Sequence, residues 1–192
     1  MAPNAVLVDL DGTIWDSYPW YAARLAETGN ISRAAVLQAL TSGESIVTLL
    51  RKYGAGAGTL THQCSGLSLF PGVAETLKQL AVRRRALGVV TSLPGRLAIP
   101  MLTAVDLKNR FGTVIHAGNC RLRKPNPGPI FAALEDLQAA AAGTIYIGDT
   151  ERDAETARRA GVPFIWASYG YGSTRPDSTA HVLKRFADIL DL

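Results

Sequence analysis

Short apolar runs alternate along the chain with segments of helical hydrophobic spacing. The runs predict strands over 5–10, 86–92, 112–117, 144–147 and 163–167. The segments between and after them predict helices over 72–84, 96–105, 127–141, 152–160 and 180–190. Strands that alternate with helices indicate βαβ units and a parallel sheet. Because the strands are continuously apolar rather than alternating, both faces of that sheet are expected to be covered. The prediction is an α/β fold with a doubly wound parallel sheet.

Residues 17–69 break this alternation. They contain no strong strand, and their spacing predicts short helices over 20–28, 33–40 and 45–53, followed by a glycine-rich loop over 54–58. A chain that leaves a parallel sheet at its ligand-binding edge and returns there is expected to lie over the site. We therefore predict a core domain of 1–16 and 70–192, with 17–69 forming a small helical cap inserted after the first strand. An ordinary helical decoration is the alternative.

Two carboxylates follow the first predicted strand. Asp9 and Asp11 are two positions apart and are followed at once by Gly12 and Thr13. Burying an unpaired carboxylate is costly, so two of them at the end of an apolar strand need a reason. Residues i and i+2 of a strand point the same way, and two acids facing one site suit Mg²⁺ binding or nucleophilic and acid–base chemistry. An Asp-Gly turn is the structural alternative.

The later strands also lead into polar residues. The second ends in Thr91-Ser92, where a hydroxyl can donate to a phosphoryl oxygen or cap a helix. Lys124 is held in a stiff, proline-flanked loop beyond the third strand, where it is either a phosphate-binding cation or a solvated side chain. Asp149 follows the fourth strand, where ligands bind in such sheets. Asp153 begins the next helix, a position that the helix dipole also favours in an acid.

Composition narrows the function further. The 192 residues are 47% hydrophobic with a formal net charge of +4, which fits one domain or one domain plus a small insert. The mild positive balance suits an anionic, phosphorylated substrate, and the short basic clusters lack the stacking aromatics of a nucleic-acid-binding surface. Two cysteines without CxxC spacing suit a reducing cytosol. With no apparent signal peptide or membrane-spanning run, the expected location is cytoplasmic.

Four sequence motifs occur together, in the order Asp9-Leu-Asp-Gly-Thr13, Thr91, Lys124-Pro-Asn-Pro127 and Gly148-Asp-Thr-Glu-Arg-Asp153. In this order and spacing they resemble the motifs of the haloacid dehalogenase superfamily. The pattern Asp11-Gly-Thr-Ile-Trp-Asp-Ser17 is similar to that of its phosphoglycolate-phosphatase-like group, as are Pro71-Gly-Val73 and Tyr169-Gly-Tyr-Gly172. The resemblance implies a haloacid-dehalogenase-like Rossmannoid core and a Mg²⁺-dependent phosphatase that acts on a small phosphorylated metabolite.

The same resemblance implies roles for the first and fourth motifs. Asp9 is the expected nucleophile, forming an aspartyl-phosphate, and Asp11 the expected acid and base. Asp9, the backbone carbonyl of Asp11, and Asp149 are the expected Mg²⁺ ligands. Asp153 is expected to support the metal through water or to orient Lys124.

The second and third motifs have implied roles as well. Thr91 is expected to bind a phosphoryl oxygen, and Lys124 to offset the negative charge that accumulates there. Related proteins usually have Thr-Asn where this chain has Thr91-Ser92, which leaves the contact made by Ser92 open. The insertion is also short for the group. Within it, Gly43 and Glu44 are the candidates for substrate contact, against the alternative of a plain turn between helices.

Three other functions remain compatible with the sequence. Asp11 favours phosphoryl transfer over dehalogenation, but a phosphomutase would keep it too. A phosphonate hydrolase would need a Schiff-base lysine in the insertion, where Lys52 is the only lysine. A non-catalytic binding protein on this fold is the third. The sequence leaves open the oligomeric state and whether the substrate is phosphoglycolate, a sugar phosphate or a nucleotide.

Overall fold

The computed structural model describes residues 3–53, 60, 64 and 66–192. Its main sheet has six strands in the order β5-β4-β1-β6-β7-β8, and every pairing in it is parallel. Two further strands, β2 and β3, form a separate antiparallel pair. The strands are β1 (Ala5–Val8), β2 (Trp15–Asp16), β3 (Ser68–Leu69), β4 (Ala86–Pro94), β5 (Thr113–Ala117), β6 (Thr144–Gly148), β7 (Phe164–Ala167) and β8 (Thr179–Leu183).

Helices cover both faces of the six-stranded sheet. Those in the described ranges are α1 (Ser17–Ala26), α2 (Arg33–Thr41), α3 (Ile46–Lys52), α4 (Val73–Val82), α5 (Gly95–Ala104), α6 (Gly128–Asp136) and α7 (Glu151–Ala160), with 3₁₀ turns at Lys108–Arg110, Ala141–Gly143 and Phe186–Asp191. Helices α4 and α5 pack in one hydrophobic cluster, and α6 and α7 in another. The predicted doubly wound α/β class is confirmed. None of these helices is long and apolar enough to cross a membrane.

Strand β1 shows why the apolar runs are continuous. Val6 and Val8 belong to the cluster of α4 and α5, whereas Leu7 belongs to the cluster of α6 and α7. Because successive strand residues point to opposite faces, a central strand with helices on both sides must be apolar at every position. The strand ends at Val8, so Asp9 begins the loop. The first carboxylate, that of Asp9, therefore lies at the edge of the sheet where the C-terminal ends of the strands meet.

Two short paired strands stand at the start and the end of the segment predicted as an insertion, residues 17–69. Strands β2 and β3 pair Trp15 with Leu69 and Asp16 with Ser68. The three predicted helices are present as α1, α2 and α3, and Ser32 and Ser45 cap the latter two through their hydroxyls. Buried residues of these helices join the same hydrophobic cluster as β1. The predicted loop over 54–58 lies outside the described residues.

The prediction of a helix over 180–190 is wrong. This segment instead forms β8, parallel to β7 at the sheet edge, followed by the 3₁₀ turn. The exposed edge of β7 offers unpaired backbone groups, and pairing with them satisfies β8 better than a helix would. The side chain of Asp188 then accepts hydrogen bonds from the backbone N–H groups of Lys184 and Arg185 and ends the strand.

Candidate active site

The polar residues that end the central strands meet in one cavity of about 380 Å³. Asp9 follows β1, Thr91 lies in the last part of β4, Lys124 follows β5 and Asp149 follows β6; all four line this cavity together with Asp11. The carboxyl ends of parallel strands share one edge, which is where ligands bind in open α/β sheets. The structure thus brings together residues that are separated by up to 140 positions in the sequence.

Lys124 joins Asp9, which lines this cavity, to Asp153, which lies behind the cavity wall. Its Nζ lies 3.0 Å from Asp9 Oδ2 and 2.6 Å from Asp153 Oδ1, and it donates to the hydroxyl of Tyr146 at 3.1 Å. Burial acts to lower the pKa of Lys124, but attraction to Asp153 and Asp9 outweighs it and raises that pKa. The lysine is therefore a fixed positive charge beside Asp9 rather than a solvated side chain.

Asp153 is held on both of its oxygens. Oδ1 accepts from Lys124 and from the Tyr146 hydroxyl at 2.9 Å, and Oδ2 accepts from the backbone N–H of Thr150 at 3.1 Å. The Thr150 side chain completes a capping box at the start of α7. Burial acts to raise the pKa of Asp153, but Lys124 and these hydrogen bonds lower it. Asp153 therefore both caps the helix and contacts the ammonium group of Lys124.

Asp9 and Asp149 each have one carboxylate oxygen without a hydrogen bond among the described residues. These two oxygens, Asp9 Oδ1 and Asp149 Oδ1, are both buried. One oxygen each from Asp9, Asp149 and Asp153 lie within 4.8 Å of one another. Three carboxylates and one lysine, if all are ionised, sum to a formal charge of −3 + 1 = −2. A divalent cation that prefers oxygen ligands, such as Mg²⁺, fits both this charge and these oxygens.

The raised pKa values of Asp9 and Asp149 also favour a site that a cation would occupy. Burial raises the pKa of Asp9 from 3.8 to about 7, although Lys124 opposes the shift. Burial raises the pKa of Asp149 to about 8, and the charges of Asp153 and Asp9 add to it. Without a cation, the cluster therefore relieves its repulsion by holding protons.

Asp11 is held by two side chains that the sequence did not connect with it. Trp15 Nε1 donates to Asp11 Oδ1 at 2.7 Å, and the Tyr21 hydroxyl donates to the same oxygen at 3.0 Å. Burial raises the pKa of Asp11 despite these bonds, which favours its protonated form. Trp15 is completely buried, and its indole N–H positions the carboxyl of Asp11. Tyr21 was missed because α1 brings it back from ten residues away.

The loop after β7 supports Asp149. The backbone N–H of Tyr171 donates to Asp149 Oδ2 at 2.8 Å. A side chain at Gly170 would collide with the Asp149 side chain and with the carbonyl oxygen of Gly12, so only glycine allows this approach. The Tyr171 hydroxyl donates to Asp16 Oδ1 at 2.8 Å. The segment 169–172, which carries part of the family resemblance, therefore borders the site, and Tyr171 lines the cavity.

The turn between α2 and α3 lines the opposite wall. Gly43, which has a positive φ of 94°, and Glu44 both face the cavity that contains Asp9. Ser42 is the C-cap residue of α2, and Ser45 caps α3, so the turn is also held by helix caps. The position of this turn is thus compatible both with substrate contact by Gly43 and Glu44 and with a plain turn between helices.

The remaining candidates lie at the end of β4. Thr91 Oγ1 accepts from the backbone N–H of Leu93 at 3.2 Å, which leaves its hydroxyl proton available to a ligand. Ser92 is exposed and lines the same cavity. The structure therefore gathers every candidate site residue except Asp153 along the cavity wall, and Asp153 lies directly behind Lys124.

The fold is that of a doubly wound α/β protein. The carboxylates, the buried lysine and the hydroxyl at the carboxyl edge of its sheet form a site suited to phosphoryl groups. Comparison with known proteins gives the family. The profile of the haloacid dehalogenase-like hydrolases matches residues 23–167, which is most of the chain. The chain belongs to the haloacid dehalogenase-like hydrolase family.

Relatives and solved structures agree with this assignment. The chain is 30% identical to a phosphoglycolate phosphatase of Yersinia pestis, over 98% of this chain and 92% of that protein. It is 33% identical to a phosphoglycolate phosphatase of Xanthomonas campestris pv. campestris, over 88% and 85% of the two chains. A crystal structure titled as a predicted phosphoglycolate phosphatase from Haemophilus somnus superposes with a TM-score of 0.81 at 23% identity, covering 100% of this chain and 98% of that one. That superposition supports the fold.

Proposed function

We propose that this chain is a Mg²⁺-dependent phosphatase that hydrolyses a small phosphomonoester through an aspartyl-phosphate on Asp9. The observation that carries the proposal is the Asp9 carboxylate, buried at a strand end, with one oxygen 3.0 Å from Lys124 and the other without a hydrogen-bond partner among the described residues. The near-full-length similarity to phosphoglycolate phosphatases supports the same reaction. Phosphoglycolate is accordingly one substrate to test.

In the first half of the reaction, an oxygen of Asp9 attacks phosphorus and the bond to the leaving oxygen breaks. Asp11, whose raised pKa favours a protonated carboxyl, donates its proton to that leaving oxygen. Lys124 and the Thr91 hydroxyl lie in the same cavity and are placed to balance the charge on the phosphoryl oxygens. A bound Mg²⁺, held by Asp9, Asp149 and the Asp11 carbonyl, would screen the negative charges from one another.

In the second half, water attacks the phosphorus of the aspartyl-phosphate. Asp11, now a carboxylate, takes a proton from this water, and the bond between phosphorus and the Asp9 oxygen breaks to release phosphate. Trp15 and Tyr21 hold Asp11 in place through both steps. The residues of this chain thus return to their starting protonation after one turnover.

The experiment that tests the proposal is a phosphate-release assay with Mg²⁺. The substrates are p-nitrophenyl phosphate, phosphoglycolate, sugar phosphates and nucleoside monophosphates, each with and without a chelator. Release that requires Mg²⁺ supports the phosphatase. The absence of release from every phosphoester, together with demonstrable Mg²⁺ binding, would instead favour a binding protein on this fold.

Mg²⁺ is expected to stabilise the protein more at alkaline than at acidic pH. The folded-state pKa values of Asp9 and Asp149, about 7 and about 8, lie above the unfolded value of 3.8, so the folded metal-free protein binds more protons. Its stability therefore falls as pH rises through that range. Mg²⁺ at a hundredfold excess over its Kd adds about 2.7 kcal/mol, or roughly 5–10 °C in Tm.

Thermal unfolding with and without Mg²⁺, at about pH 6 and about pH 9, measures this difference. Asp149→Asn is the variant that should lose most of the Mg²⁺ shift. Asp177→Asn, an exposed aspartate outside the cavity, is the matched control and should keep it. A Mg²⁺ shift that is larger at the acidic pH would contradict the assignment of Asp9 and Asp149 as ligands.

Tyr21→Phe is expected to lower kcat about tenfold, which corresponds to the loss of one hydrogen bond to Asp11 worth about 1.4 kcal/mol in the transition state. KM should change little, since the hydroxyl contacts Asp11 and not the phosphoryl site. Tyr53→Phe, outside the cavity, is the matched control. An unchanged kcat in Tyr21→Phe would show that Trp15 alone is enough to position Asp11.

The structure does not favour phosphonate hydrolysis. Lys52, the lysine that such chemistry would use, has a side chain that is 56% exposed and lies 3.9 Å from Glu44. A Schiff-base lysine works from a buried site, whereas Lys52 is exposed and paired with a carboxylate.

A further inference from the structure

A second cavity, of about 460 Å³, lies beside the one that contains Asp9. The two cavities share part of their walls, so a ligand in one can extend into the other. The shared residues are Ser45, Val47, Thr91, Ser92, Lys124 and Arg152. The boundary therefore consists of the proposed phosphoryl-binding residues Thr91 and Lys124, with the inserted segment above them.

The two cavities carry opposite charge. The Asp9 cavity is lined by several carboxylates, whereas none of the described residues that line the second cavity is an aspartate or glutamate. Four arginines line the second cavity instead: Arg51, Arg96, Arg123 and Arg152. We call it the arginine cavity.

The four arginines come from different parts of the chain. Arg51 lies in α3, Arg96 in α5, Arg123 in the loop directly before Lys124, and Arg152 in α7. None of the four forms an ion pair with a carboxylate of the described residues, whereas Lys124 beside them is paired with Asp9 and Asp153. All four side chains are exposed, and together they give the cavity a positive field that attracts anions. The planar, multidentate guanidinium is the side chain best suited to phosphate.

We propose that the arginine cavity binds a second phosphate group of the substrate while the first lies at Asp9. This inference rests on the proposed function and narrows it to phosphomonoesters that carry a distant second phosphate. The substrate chain passes between Thr91, Ser92 and Lys124 at the shared wall. A cavity of this volume is far larger than the carboxylate of a two-carbon phosphoester requires.

A matched series of substrates tests the proposal. Terminal bisphosphates of straight-chain diols, with chain length increasing from two carbons, are compared with the corresponding alkyl monophosphates. We expect kcat/KM to favour the bisphosphate by at least tenfold at one chain length, and the preference to shrink as salt is added. Equal kcat/KM values for the paired substrates at every length would overturn the proposal.

Two triple variants locate the effect. Arg51→Gln, Arg96→Gln and Arg123→Gln together should reduce the preference to about twofold or less while leaving p-nitrophenyl phosphate hydrolysis unchanged, since none of the three lines the Asp9 cavity. The control combines Arg33→Gln, Arg110→Gln and Arg175→Gln, three exposed arginines outside both cavities. Both variants lose three positive charges. If the control variant lost the preference for bisphosphates to the same extent, the preference would come from long-range attraction to the positively charged protein, and the arginine cavity would not be a binding site.

A binding measurement separates this proposal from the phosphatase itself. Asp9→Asn keeps substrates intact, so calorimetric titration of this variant with the best bisphosphate and its monophosphate needs no turnover. Tighter bisphosphate binding that disappears when the three cavity arginines are also replaced supports the arginine cavity even if no substrate is hydrolysed. Equal binding of the two ligands overturns the arginine cavity even if p-nitrophenyl phosphate is hydrolysed.

Discussion

Asp9→Asn is expected to lower Mg²⁺-dependent phosphate release by about 10⁴-fold or more, because the amide cannot form the phosphoryl-enzyme and no neighbouring group replaces it. The substitution is nearly isosteric, and it removes one of three clustered carboxylates beside Lys124. The metal-free variant should therefore be at least as stable as the parent at alkaline pH. Steady-state phosphate release and thermal unfolding, measured on the same preparation, give both results.

The matched control is Asp177→Asn, which changes an exposed aspartate outside the cavity and should leave turnover unchanged. Retention of substantial Mg²⁺-dependent release in Asp9→Asn would assign the nucleophile elsewhere. Thermal unfolding distinguishes a folded, inactive Asp9→Asn variant from one that has failed to fold. Because the change is nearly isosteric, we expect the variant to fold.

Lys124→Met is expected to be the most destabilising single substitution in the site, by about 3–5 kcal/mol. Without the ammonium group, Asp9 and Asp153 face each other uncompensated, and Asp149 adds a third charge close by. The loss should be larger at alkaline pH, where these carboxyls cannot relieve the repulsion by binding protons. Chemical denaturation at two pH values measures it.

A double-mutant cycle isolates the cause. Lys124→Met combined with Asp153→Asn should recover part of the loss, because the unpaired charge is removed together with its partner. Lys184→Met, at an exposed position without an ion pair, is the matched control and should change stability by less than about 0.5 kcal/mol. A loss in Lys124→Met no larger than in this control would mean that the buried ion pairs contribute little.

The sequence predicted the sheet and its edge because those signals are local. A continuously apolar run identifies a central strand, and Asp9 or Asp149 directly after such a run must lie at the edge where strand ends meet. Chain order and residue type were therefore enough to predict that these residues lie close together. The helix over 180–190 failed because an edge strand is decided by the free edge of its neighbour, which no local pattern shows.

The parts of the site that could not be predicted depend on distant contacts. Tyr21 reaches Asp11 only because α1 folds back over the first loop, and Tyr171 meets Asp149 across 22 residues. The arginine cavity is the clearest case. Arg123 belongs to a basic cluster visible in the sequence, but Arg51 and Arg96 lie far from it along the chain, and only the fold shows that they share one cavity.

The paired strands β2 and β3 have a consequence for how this architecture can change. Since Trp15 pairs with Leu69 and Asp16 with Ser68, the chain leaves the core and returns to it one strand spacing apart, about 4.8 Å. Everything between these points can lengthen, shorten or be exchanged without moving the ends that the core requires. Specificity can therefore evolve in this segment while the residues at the sheet edge stay fixed, provided that a replacement keeps the contact of Tyr21 with Asp11 and packs against the same hydrophobic cluster.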